Sequence, residues 1–184
     1  MNNTYPIDVY IDLINNILDT LYQSESILFE KDLCERSLVF RFSYHLQKYF
    51  EPFWYYVDCD YNSSYFFDEA TWKRKGQKGK PIQDLDTGEI TGRFVDIIVH
   101  KRLLPWEWQD SRISDLICFE CKKWNNKTRT WMNKDINNLR VLSHNYWYDY
   151  WFHLIFWKQR DQCKIYIYRD WNYYNDSTPT HPTT

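Results

Sequence analysis

Three ionisable residues stand where an apolar pattern has no use for charge. Asp96 interrupts the run Arg93-Phe94-Val95-Asp96-Ile97-Ile98-Val99-His100, while Glu120 and Lys122 close the run Leu116-Ile117-Cys118-Phe119-Glu120-Cys121-Lys122. The first run is β-branched and apolar on both faces, the mark of a central strand, and the second reads as another. Charged groups almost never enter a sheet interior unless they are paired or hold a metal. Alternation puts Glu120 and Lys122 on one face of their strand, with Ile117, Phe119 and Cys121 on the other. If the two strands are neighbours, Asp96 and Glu120 converge on one cation with Lys122 beside it. Two carboxylates suit Mg²⁺ (or Mn²⁺), which keeps most of its coordination for water and a phosphate oxygen. Such an ion acidifies a bound water, and an adjacent lysine orients or deprotonates that water and stabilises the pentacovalent transition state. The chemistry is phosphodiester hydrolysis. The same residues also admit a buried Lys122–Glu120 or Lys122–Asp96 salt bridge, or plain strand-end solvation.

The elements that must position this trio follow from periodicity. Ile7, Tyr10, Ile11, Ile14, Ile17, Leu18 and Leu21 recur at three and four residues and predict a helix over 6–23, with Pro6 at its start. Leu38, Val39, Phe42, Leu46 and Tyr49 predict a second helix over about 31–50, ended by Glu51-Pro52. Glu35 shares that apolar stripe, which makes it either a frayed first turn or a carboxylate with a task. Residues 53–61 read as an aromatic strand, 62–92 as a long polar loop or hairpin, and 103–114 as a turn carrying Trp106 and Trp108. A helix is expected over about 132–143, and strands over 150–158 and 164–169 that pair with each other. The passage from the Phe119 strand through that helix to the Tyr150 strand has the length of a βαβ crossover, so parallel pairing is expected there. Residues 172–184 read as a disordered tail. The fold class is α/β, a mixed sheet flanked by helices, in a single domain over 1–171 with the 6–23 helix as an extension.

Composition narrows the function classes. The 184 residues include 10 Trp, 16 Tyr and 11 Phe but only 4 Gly, and Ala70 is the single alanine. No GxGxxG or GxxxxGK[ST] loop is present, so a nucleotide cofactor is not expected. With 43% hydrophobic residues the chain can build a core, and its mean hydropathy of −0.71 leaves no apolar run long enough to span a membrane. Net charge is −2, but residues 1–35 hold seven acids against one lysine, a net of −6 that leaves +4 on the remainder. Lys73, Arg74, Lys75, Lys78 and Lys80 form a basic run that reads as an exposed loop, either simply solvated or gripping phosphates. The first residues carry neither a basic n-region nor an apolar h-region, so free cysteines in a reducing cytoplasm are expected. Cys118 and Cys121 form a CxxC, but on a strand they face opposite ways and cannot share a metal. No Ser/His/Asp or Cys/His arrangement competes with the carboxylate–lysine trio.

The runs FVDIIVHKR and DLICFECKKW resemble the Asp…Glu-x-Lys core of the PD-(D/E)XK nuclease superfamily. CERSLVFRFSYHLQKYF and YYVDCDYN are similar to the opening helix and first strand of its bacterial and phage-type members, and the resemblance covers roughly residues 30–170. It implies a restriction-endonuclease-like αβββαβ core and a Mg²⁺-dependent nuclease acting on DNA, sometimes as a homodimer. Asp96 and Glu120 would then be metal ligands, Lys122 the catalytic lysine and the Cys121 carbonyl a further metal contact. Glu35 matches a carboxylate that some members add. Val95 stands where the superfamily usually has proline, a frequent replacement.

Secondary candidates are Asp58 and Asp60, which share a strand face, and His100, which shares the face of Asp96. Lys123, Lys127, Arg129 and Lys134 with Trp124 and Trp131 make a basic, aromatic-laced segment suited to phosphate and base contact, or to core packing. Two rival readings stand beside the nuclease: an inactive nucleic-acid-binding module of the same fold, and a protein-interaction component that docks through its acidic helix and exposed tryptophans.

Overall fold

The computed structural model describes residues 6–61, 63–68, 73–78, 80–83, 90–93, 95–101, 115–124, 139, 148–169 and 172–176. Helix α1 (Ile7–Ser24) buries Ile7, Tyr10, Leu13, Ile14, Ile17, Leu18 and Leu21, the stripe its spacing predicts. A four-residue turn of helix, α2 (Ile27–Glu30), precedes α3 (Glu35–Phe50). The second predicted helix thus starts four residues later than expected, at Glu35, because Asp32 adopts a left-handed backbone (φ 54°) that no continuous helix accommodates. Pro52 sits in a 3₁₀ turn, Glu51–Phe53, and Trp54 at φ 63° turns the chain away. The aromatic strand therefore starts three residues later than its composition suggests.

The strands are β1 (Tyr56–Tyr61), β2 (Ser63–Asp68), β3 (Lys73–Lys78), β4 (Lys80–Gln83), β5 (Ile90–Arg93), β6 (Val95–His100), β7 (Asp115–Lys123), β8 (Tyr150–Phe156), β9 (Lys164–Arg169) and β10 (Asn172–Asp176). Six of them form one mixed sheet in the order β1-β6-β7-β8-β9-β10. Its pairings are antiparallel except β7–β8, which is parallel, as the crossover length predicts. Of the expected 132–143 helix, only Leu139 lies within the described residues, and it is helical and buried.

Two predictions need correction. The basic run is not a loop: Lys73, Arg74, Lys75 and Lys78 lie on β3, antiparallel to β2, and Lys80 opens β4, antiparallel to β5. A dense row of lysines masks strand character because strand propensity yields to cross-strand context. Residues 172–176 are not tail but an edge strand, carried by the β9 ladder; residues 177–184 lie outside the described residues.

Both sheet faces are apolar. One face packs under α1 and α3, where Ile97, Val99, Ile117, Phe119, Phe152, Leu154, Phe156 and Ile165 meet Tyr10, Ile14, Leu38, Phe42 and Leu46. Phe42 sets its edge against both Phe119 and Phe156. Each fully buried side chain of this size contributes about 1.5–3 kcal/mol. The opposite face gathers Val95, Ile98, Cys118, Leu139, Tyr148, Trp151 and Tyr168. The architecture is α/β. Among the described residues, no helix is long and apolar enough to cross a membrane.

Candidate active site

β6 and β7 are adjacent, and their register pairs Ile97 with Phe119 and Ile98 with Cys118. One step along that ladder sets Asp96 opposite Glu120. Glu120 thereby becomes a side-chain neighbour of the Asp96 carboxyl. Asp96 Oδ2 also accepts the Cys121 backbone N–H at 2.7 Å, serving as a ladder partner beyond the last paired residues. Burial pushes the Asp96 carboxyl above its ordinary range, and the charge of Glu35 pushes the same way; the Cys121 N–H, the Lys122 ammonium and the neighbouring Glu120 oppose them.

Glu120 is buried at 6% exposure, while Lys122, at the same strand's end, keeps a partly open side chain. The first residue of α3 completes the group. Glu35 Oε2 accepts the Lys123 backbone N–H at 2.8 Å, and Oε1 lies 3.6 Å from Lys122 Nζ. Glu35 is therefore held on the strand end and is not a frayed turn.

Other candidates go elsewhere. Cys121 and Cys118 face opposite cores, as alternation requires, and Cys121 meets the site through its amide. Asp58 pairs with His100, Oδ2 to Nε2 at 2.8 Å, at the far end of β6. Lys123, expected to contact nucleic acid, instead holds the chain between α2 and α3: its Nζ donates to the Leu33 carbonyl at 2.6 Å and pairs with Asp32 at 2.5 Å. Trp124 stacks on Trp157 with centroids 4.1 Å apart, a packing role. Trp106, Trp108, Lys127, Arg129, Trp131 and Lys134 lie outside the described residues, as do the side chains of Asp60 and of the basic run on β3 and β4. All five cysteines are free thiols.

One residue escaped the sequence reading. His153 on β8 stands directly beside Glu120 in the parallel register and is fully buried. Within the apolar run Trp151–Phe156 a lone histidine carries no signal of its own; its meaning comes from the register, which the sequence leaves unstated.

The donor set suits a hard divalent cation. Two carboxyl groups opposite each other on neighbouring strands favour a proton or a cation between them, and one or two carboxylates are how Mg²⁺ is ordinarily held. Among the described residues, no group of three or more His, Cys, Asp or Glu is arranged to hold a metal, so Asp96 and Glu120 would hold the ion as a pair. No protein-family model, curated protein or solved structure matches the chain.

Proposed function

We propose that this chain is a metal-dependent nuclease that hydrolyses phosphodiester bonds, with DNA as its substrate and Mg²⁺ or Mn²⁺ as cofactor, in the manner of the PD-(D/E)XK superfamily. The observation that carries the reading is the register of the central strands β6 and β7, which sets Asp96 opposite Glu120, with the Lys122–Glu35 pair at the same strand end. A divalent cation held there supplies Lewis acidity toward a phosphate oxygen and lowers the pKa of a water. Asp96 and Glu120 bind the ion and fix its place on the sheet. Lys122 orients the attacking water and offsets negative charge on phosphorus. Glu35 holds the lysine in range of both tasks. The mixed sheet with helices packed on it supports a restriction-endonuclease-like architecture.

The Lys122–Glu35 ion pair also favours a second reading, in which the charged cluster is structural and the fold binds nucleic acid without cutting it. Incubation with plasmid, single-stranded and branched DNA and with RNA, in Mg²⁺ or Mn²⁺, separates the two. The nuclease reading expects wild type to cut and Glu120→Ala and Lys122→Ala to lose cutting. If the wild type cuts nothing, or both variants cut as well as it does, the assignment is wrong; binding without cutting supports the second reading.

A further inference from the structure

His153 is the neighbour of Glu120 that the hydrolytic trio leaves unused. Phe152, Leu154 and Phe156 turn toward α1 and α3, and Trp151 turns to the other face of the sheet. Alternation along β8 therefore sends His153 to the face of Trp151, which is also the face of Glu120 and Lys122. Across the next strand Tyr166 is its register partner, with ring centroids 5.9 Å apart. The imidazole is 0% exposed, and neither ring nitrogen has a hydrogen-bond partner among the described residues.

That isolation is costly. A buried polar group without a partner forfeits about 1–3 kcal/mol, and natural interiors hold few of them. Burial and the nearby Lys122 charge bring the His153 pKa down to about 4, so at neutral pH the ring is uncharged and offers one N–H donor and one acceptor. Direct ligation is disfavoured, since no three-donor metal group forms among the described residues. Glu120, by contrast, stands between Asp96 on β6 and His153 on β8. A cation held by Asp96 and Glu120 occupies the side of the Glu120 carboxylate that faces β6. The same carboxylate then needs a donor on its other side, where His153 stands.

We propose that His153 is a positioning residue whose ring N–H takes up the Glu120 carboxylate when that carboxylate, together with Asp96, holds a divalent cation. The inference rests on the metal-dependent reading of the Asp96–Glu120 pair. It explains an orphaned imidazole as a group whose partner arrives with the ion. Ligating carboxylates are commonly held in this way by an outer hydrogen bond, and losing such a partner typically weakens metal binding about 10–100-fold.

Calorimetric titration of Mn²⁺ into wild type, Glu120→Gln, His153→Leu and His153→Gln tests this, together with thermal unfolding of each without metal. Wild type is expected to bind and Glu120→Gln to lose binding. His153→Leu should bind about 10–100-fold more weakly, yet unfold at a higher temperature than wild type when metal-free, since it buries no orphaned group. His153→Gln, which keeps an N–H donor, should recover most of the affinity. If His153→Leu binds as wild type does while Glu120→Gln does not, the role of His153 is overturned and the metal site stands. If His153→Leu is less stable than wild type without metal, His153 is a core residue and the proposal also fails. If wild type binds no Mn²⁺, the metal site falls and this inference with it.

Discussion

Glu35 Oε1 lies 3.6 Å from Lys122 Nζ, a contact that ties the first residue of α3 to the end of β7. The same carboxylate accepts the Lys123 N–H, so one side chain both anchors a helix and constrains the lysine nearest the carboxylate pair. Glu35→Ala should cost about 1 kcal/mol of stability, because it leaves that amide without its acceptor. Glu35→Gln keeps an acceptor oxygen and should retain most of the stability while losing the ion pair. Urea denaturation and cleavage rate measured on both variants check the separation: a Gln variant as unstable as the Ala variant would contradict it.

Asp96→Asn should abolish Mn²⁺ binding without lowering stability at neutral pH. Burial raises the Asp96 pKa above its ordinary 3.8, so its protonated form favours the folded state. That advantage is complete below 3.8 and is lost as pH rises through the raised pKa. The neutral amide escapes the loss and can still accept the Cys121 N–H. The melting temperature of Asp96→Asn relative to wild type should therefore climb from low pH to neutral pH in chelator; a falling difference would contradict the assignment.

Glu25 behaves in the opposite sense. Its bidentate hydrogen bonds with Arg41 (2.5 and 2.7 Å) and its contact with His45 at 3.1 Å hold its pKa below the ordinary 4.5, Arg41 being the main cause. The stability it contributes is present above pH 4.5 and lost as pH falls through its folded pKa. Glu25→Gln should flatten the acid limb of a stability–pH curve and leave the alkaline side unchanged in shape. Melting temperatures across that range are the check.

Thiol labelling should divide the cysteines. Cys34 is exposed, and hydrogen bonds from Ser37 lower its pKa; Cys118, Cys121 and Cys163 are buried. Because the thiolate is the reactive form, native protein should show a fast-reacting thiol that Cys34→Ser removes, with the buried three reacting only on unfolding. Rapid labelling of Cys121 in the native state would mean that the β7 core opens locally.

Much of this arrangement was legible from spacing alone. Period-3.6 stripes locate α1 and α3, and the apolar runs broken by Asp96, Glu120 and Lys122 identify the strands that adjoin. Crossover length anticipates the parallel β7–β8 pair. Pairings that depend on a partner were not legible. The lysine-rich β3 takes its strand state from β2, and Asn172–Asp176 takes its from β9. Lys123 looks like a free cation in sequence, but Leu33 and Asp32 claim it in space. His153 is invisible until the register sets it beside Glu120.

The parallel union of β7 with β8 has a kinetic consequence. β7 receives its β6 neighbour from chain already made, but its other neighbour begins only at Tyr150. Until then Cys118, Glu120 and Lys122 lie on an open sheet edge, and such edges recruit other chains. Closing so long a loop for a parallel pairing is slow. Fragments ending before Tyr150 should aggregate, and pairing of β8 should limit the rate at which the full chain matures.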